Sequence, residues 1–358
     1  MDSRRRKKPV KILSKENTFT VVTRDGNAGV FLKRTCLTEV LDFFRLDHPE
    51  HIVLARVDDR LRSLNEILDA NCRVEWIDRH SPEGQRAYQL TLCLMLLRAV
   101  SELLPSEGLL IDHSIGQGLY CELRSGRRPG RRTVRRLREK MAAFVRADTR
   151  IEPWLLTRDQ FQAECERMNQ DARCLTAGGE STFTLFRSEN TAAFLGTPLL
   201  PSTGRIQAFG LVHWKGGMIL LLPHGDDITI LPPFVPYPKL FRVFHEFGDW
   251  ERILGVSQAA DLNRSVATGA HSDLIKIAEG LHEKKVAQIA DTIARRRKQL
   301  RLILIAGPSS SGKTTFTKRL AIQLRVIGLV PLVVSLDDYF LDRDKTPRNV
   351  EGKPDYEK

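Results

Sequence analysis

Residues 307–314 read Gly-Pro-Ser-Ser-Ser-Gly-Lys-Thr and fit the spacing G-x-x-x-x-G-K-[ST], the pattern of a loop that cradles phosphate. Gly307 and Gly312 let the backbone curl until successive N–H groups point at one anion. A helix starting behind Gly312 would add partial positive charge at the same point. In this chemistry Gly307, Pro308, Ser309, Ser310, Ser311, Gly312, Lys313, Thr314 and Thr315 line the phosphates of a nucleotide. Lys313 reaches the β- and γ-phosphates of ATP, and the Thr314 hydroxyl ligates Mg²⁺. The plainer alternative is a glycine- and serine-rich turn with no ligand.

Such a loop has to be held between a strand and a helix. The apolar run 302–306 predicts the strand, and the stretch from Lys313 to about Ile327 predicts the helix. Upstream, 241–298 reads as helices, and the prolines between 232 and 238 read as a linker. Residues 108–235 alternate strands with helices. Residues 85–104 predict a helix with Leu90, Leu94 and Leu97 on one face. Before it, 10–80 reads as a small α/β unit, with strands at 10–13, 18–22, 52–57 and 73–77 and a helix within 35–44. The segment His80-Ser81-Pro82-Glu83-Gly84 marks a boundary.

The chain of 358 residues is long for one core, which predicts two or three domains. No apolar stretch is long enough to cross a bilayer, and the basic start Arg4-Arg5-Arg6-Lys7-Lys8 lacks the apolar segment of a secretory signal. Six cysteines without a C-x-x-C pair suit a reducing cytoplasm, and Cys93 sits in an apolar run that predicts burial. The net charge is +12, and part of the excess is concentrated in two arginine clusters, one at 124–138 and one at 295–301. Either could touch RNA through its phosphates; without interleaved aromatics, a solvated helix face or loop is the plainer reading. His113 beside Asp112 has no matching nucleophile and reads as structural.

Two stretches resemble known families. Ser335-Leu336-Asp337-Asp338-Tyr339-Phe340 resembles the second-strand motif of the uridine kinase/phosphoribulokinase family. Residues 10–235 resemble the N-terminal half of threonyl-tRNA synthetases. Within that stretch, 10–80 is similar to the small TGS domain. Gly116-Gln117-Gly118-Leu119-Tyr120 and Pro198-Leu199-Leu200-Pro201-Ser202-Thr203-Gly204 echo loops of the second additional domain. A bacterial nucleoside kinase family joins these modules in this order. The resemblance implies four parts, within an α/β and α+β multidomain fold. They are a TGS-like domain (1–80), a synthetase-like α+β domain (81–235), a helical linker (236–299) and the first part of a P-loop kinase domain with a parallel sheet (300–358).

The kinase resemblance implies an ATP- and Mg²⁺-dependent nucleoside kinase acting on uridine or cytidine. Asp337 would then be the catalytic carboxylate, with Asp338 its competitor on the opposite strand face. Phe340 and Tyr356 suit either stacking on a base or packing in a core, and Glu357 could hold ribose hydroxyls. The chain ends about forty-five residues after Lys313, so it reads as an N-terminal fragment, inactive on its own. Against the synthetase pattern there is a sharp departure. That module carries H-x-x-x-H on a helix and C-x-x-x-H in a later loop as its editing site. Here those positions are Leu90, Leu94, Leu195 and Leu199, which can neither ligate a metal nor move a proton. The alternative to the kinase is therefore an RNA- or nucleotide-sensing module without catalysis. Self-association is left open.

Overall fold

The computed structural model describes residues 17–168, 181–223, 228–339, 341–342 and 345–355. The chain divides into two compact units, Met1–Asp261 and Leu262–Lys358.

The first unit opens with β1 (Thr18–Thr23), whose alternating burial follows its alternating sequence, and β2 (Ala28–Leu32), where burial alternates although Val30 and Leu32 on the open face are apolar. A short β3 (Thr35–Cys36) leads into α1 (Leu37–Phe44), where the Glu39 carboxylate accepts from the Cys36 N–H at 3.3 Å. Then come β4 (Ile52–Val57), β5 (Arg60–Ser63), β6 (Ile67–Leu68) and β7 (Cys72–Asp78). Five of these strands form one sheet in the order β2-β1-β7-β4-β5, with β1 and β7 parallel and the other pairs antiparallel. Val21, Leu37, Val40, Leu64 and Val74 fill the space between α1 and this sheet.

Ser81 caps α2 (Pro82–Leu103) by accepting from the Gly84 N–H at 3.0 Å. A side chain at Gly84 could not exist, because its Cβ would lie 2.3 Å from the Asp78 carbonyl. α2 is buried on nearly all sides. After it come β8 (Leu109–Ile115), β9 (Gly118–Leu123), α3 (Arg131–Ala147), β10 (Glu152–Thr157), α4 (Arg158–Arg167), β11 (Thr182–Ser188), β12 (Thr191–Ala193), β13 (Gly210–Trp214) and β14 (Gly217–Leu221). An antiparallel sheet in the order β13-β14-β9-β8 and a smaller one in the order β10-β11-β12 result. Asn65, between β5 and β6, ties the first sheet to this region by donating to the carbonyls of Ile151 and Pro201 at 2.7 and 2.6 Å. After the irregular prolines comes α5 (Pro238–Leu254), whose Phe241 packs on Tyr120 and Ile219. α6 (Ala259–Ala267) spans the division between the units.

In the second unit α7 (His271–Arg295) packs on α8 (Lys313–Val326) through Val286, Ala290, Leu320 and Leu324. The helix expected after Gly312 is present, but the expected parallel sheet is not. Among the described residues neither 302–306 nor 330–335 forms a strand, and Leu302, Leu304, Val330 and Leu332 are exposed. An extended apolar run becomes a strand only when a neighbour pairs with its backbone. Neither run has one here. The molecule is thus a mixed α/β multidomain protein with several sheets.

Candidate functional site

Residues 307–315 keep a wound geometry. Ser310 and Gly312 have φ of 59° and 81°, and the Lys313 ammonium folds back to donate to the Gly307 and Pro308 carbonyls, at 2.8 Å each. A Cβ on Gly307 would meet Ser311 Oγ at 2.7 Å. Ser309, Ser310, Ser311, Thr314 and Thr315 are exposed around the start of α8. Asp337 and Asp338 do not alternate across a strand. They are successive residues of an exposed 3-10 turn, Leu336–Tyr339, because the segment before them has no sheet to fix its register. No side-chain hydrogen bond or ion pair among the described residues joins them to the Lys313 loop. Phe340, Tyr356 and Glu357 lie outside the described residues.

The four leucines singled out in the sequence do converge. Leu90 and Leu94 from α2 meet Leu195 and Leu199 from the segment after β12, and Ile151, Phe186 and Ala193 complete the cluster. The two segments are pinned at the backbone. Thr91 Oγ1 donates to the Ala87 carbonyl at 2.7 Å and accepts from the Leu200 N–H at 3.1 Å. The following loop is tied to α3: Thr203 Oγ1 donates to the Phe144 carbonyl at 2.7 Å, and the Gly204 N–H donates to Asp148 Oδ1 at 2.9 Å. A position built by these contacts is here filled with hydrocarbon. Thr91 and Thr203 carry the joint; Thr203 lies in the 198–204 loop that resembles the synthetase module, while nothing in the local sequence marks out Thr91. Nearby Cys93 is a packed hydrophobe, its thiol pushed up to about 12 by burial.

The upstream arginine cluster runs from Arg124 into α3, which holds five of its arginines. Val134, Leu137, Met141 and Phe144 face inward, and Arg131, Arg132, Arg135, Arg136 and Arg138 stand exposed on the other side. Arg135 pairs with Glu139 at 3.7 Å. The N-cap is Gly130 and the first turn has no acidic residue, so two arginines sit where the macrodipole already places positive charge. The second cluster differs. Arg295 closes the last turn of α7, the end at which cations are stabilised. Between α2, β8 and β9 lies a cleft of about 480 Å³, lined in part by Arg79, Gln85, Arg86, Gln89 and Gln117. No helix among the described residues is long and apolar enough to cross a membrane.

No family model matches the chain. It is similar to a threonine–tRNA ligase of Coxiella burnetii, 22% identical over 205 residues, which is 55% of this chain and 32% of that protein. A threonine–tRNA ligase of Thermotoga neapolitana is 24% identical, over 55% of this chain and 31% of its own length. One of Acetivibrio thermocellus is 21% identical over 55% and 32%. The chain therefore spans about a third of the length of the curated relatives it matches. These relatives overturn the expectation of an ATP-dependent nucleoside kinase: they are ligases acting on tRNA, not phosphotransferases acting on a nucleoside hydroxyl. What the chain holds is a threonyl-tRNA synthetase-like module within a mixed α/β multidomain fold.

Proposed function

We propose that the chain is an RNA-binding module related to threonyl-tRNA synthetases, which recognises a structured, tRNA-like RNA without catalysis. The observation that carries this reading is the exposed face of α3. Five arginines crowd the N-terminal half of a helix, two of them in its first turn against the macrodipole, and Arg135 pairs with Glu139. Such an arrangement is unfavourable in the free protein and is relieved by phosphate. Filling the editing position with leucine supports the absence of hydrolysis, since no group there can activate water. In this reading 1–80 is a TGS-like domain, 81–235 a second-additional-domain-like module and 236–299 a helical linker. Binding of a labelled tRNA, measured by fluorescence anisotropy between about 50 and 200 mM salt, should give a log–log slope of about −3 to −5 if most of the five arginines meet phosphates. Affinity independent of salt would sink the proposal.

A second reading concerns 307–315, where the wound backbone and the inward-folded Lys313 favour a phosphate ligand. The loop would hold the phosphates of ATP, with Lys313 as its cation and the Thr314 hydroxyl towards Mg²⁺. This makes 300–358 a nucleotide-sensing element that does no phosphoryl transfer. Weak binding of a fluorescent ATP analogue should disappear in Lys313→Ala; unchanged binding in that variant would remove the loop from the account.

A further inference from the structure

The turn His48-Pro49-Glu50-His51 lies on the surface between α1 and β4 and has no part in the proposed RNA face. Pro49 opens a 3-10 turn in which the His51 N–H donates to the His48 carbonyl at 3.1 Å. Arg205 fixes the turn from outside by donating to the Glu50 carbonyl at 2.9 Å. The turn brings its three side chains together. His48 Nδ1 is 3.3 Å and His51 Nε2 is 3.8 Å from Glu50 Oε1, and no two donor atoms of the group are more than 4.8 Å apart. In a tetrahedral zinc site with bonds of about 2.0–2.1 Å, neighbouring donors are about 3.3 Å apart. A contraction of up to about 1.5 Å in the widest pair therefore closes three corners of such a site.

The environment of His51 points the same way. Its Nδ1 faces Asp78 Oδ2 at 3.8 Å, and its Nε2 lies 3.0 Å from Arg79 Nη2. A guanidinium can only donate, so Nε2 presents its lone pair and the ring proton sits on Nδ1 towards the carboxylate. That is the tautomer that a metal-bound imidazole uses, and Asp78 is near enough to become its outer carboxylate after a shift of under an ångström. Arg79 Nε also donates to His80 Nε2 at 3.2 Å, so one cation is already held between two imidazole lone pairs. We propose that His48, Glu50 and His51 form a binding site for a divalent first-row transition metal of the zinc class, with Arg79 occupying the cation's place when the metal is absent. Two imidazoles and one carboxylate suit Zn²⁺ and its neighbours and disfavour Mg²⁺. The fourth corner is open to solvent, since His48 and Glu50 are exposed.

Titration of the chelator-treated full chain with ZnCl₂ by calorimetry tests this. One Zn²⁺ should bind, with no heat from MgCl₂. His48→Ala and His51→Ala should each weaken it at least tenfold, with far-ultraviolet circular dichroism unchanged because the side chains lie at the surface. Arg79→Ala should tighten the site several-fold by removing the competing cation. No Zn²⁺ uptake by the wild type, or an isotherm unaltered by His48→Ala with His51→Ala, overturns the proposal. A weaker site in Arg79→Ala also overturns it, since the guanidinium would then be supporting the turn and not competing for it.

Discussion

Leu94→Ala should lower the unfolding free energy of the first unit by about 2–5 kcal/mol, read from denaturant melts followed by circular dichroism. Leu94 is 0% exposed and sits at the centre of the cluster with Leu90, Ile151, Phe186, Ala193 and Leu199. Removing three carbons there takes contacts from both α2 and the loop after β12, and the Thr91 hydrogen bonds hold the two backbones too firmly for the gap to collapse. Leu94→His should do at least as much damage, because an imidazole would enter a cluster with no partner for its polar atoms. Neither variant should deacylate a mischarged tRNA. A loss below about 0.5 kcal/mol in Leu94→Ala would mean that the leucines do not share a packed core. Hydrolysis by the wild-type chain would remove the argument that leucine ended the chemistry here.

The second large effect is expected on α3. Replacing Arg131, Arg132, Arg135, Arg136 and Arg138 together by alanine should weaken tRNA binding by on the order of 10²-fold or more at low salt and flatten the log–log slope by about 3–5. Stability should hold or rise, because the inward residues Val134, Leu137, Met141 and Phe144 are untouched and repulsion at the helix N-terminus is relieved. Alanine at Arg295, Arg296 and Arg297 is the comparison. Those residues lie at the favourable end of α7, and their loss should change RNA affinity much less. If the α7 substitutions proved the damaging ones and the α3 substitutions were silent, the RNA face would have been put on the wrong helix.

Local order was legible where local sequence decides it. The apolar run at 52–57 is β4 and the run at 73–77 lies within β7, while α2, expected from Gln85, starts three residues earlier because Ser81 caps it and Pro82 fits its first turn. The helix after Gly312 is also where the sequence placed it. The failures share a cause. The segments 302–306 and 330–335 have strand composition, but a strand exists only with a neighbour, and the register assigned to Asp337 and Asp338 depended on that neighbour. The sequence likewise identified the four leucines but not Ile151, Phe186 and Ala193, which reach them through the fold. For α3 the signal was present: Val134, Leu137, Met141 and Phe144 repeat at helical spacing between the arginines. The kinase reading rested on two short motifs, at 307–314 and 335–340, and on the order of the modules, and the relatives along half the chain outweigh it. The histidine turn became visible only when Arg79 was found beside His51.

A cleft that admits a substrate has to open, keep water within reach and tolerate polar groups that a core would exclude. Such demands usually set activity against stability. The leucines at 90, 94, 195 and 199 release this part of the chain from that compromise. The same seam can then belong to the most slowly opening part of the unit, so that the amides of central α2 exchange with solvent only when the whole unit unfolds. On the proposed reading, with no turnover to accommodate, the region would serve as a floor that holds α3 through the Thr203–Phe144 hydrogen bond and presents its arginines at fixed spacing.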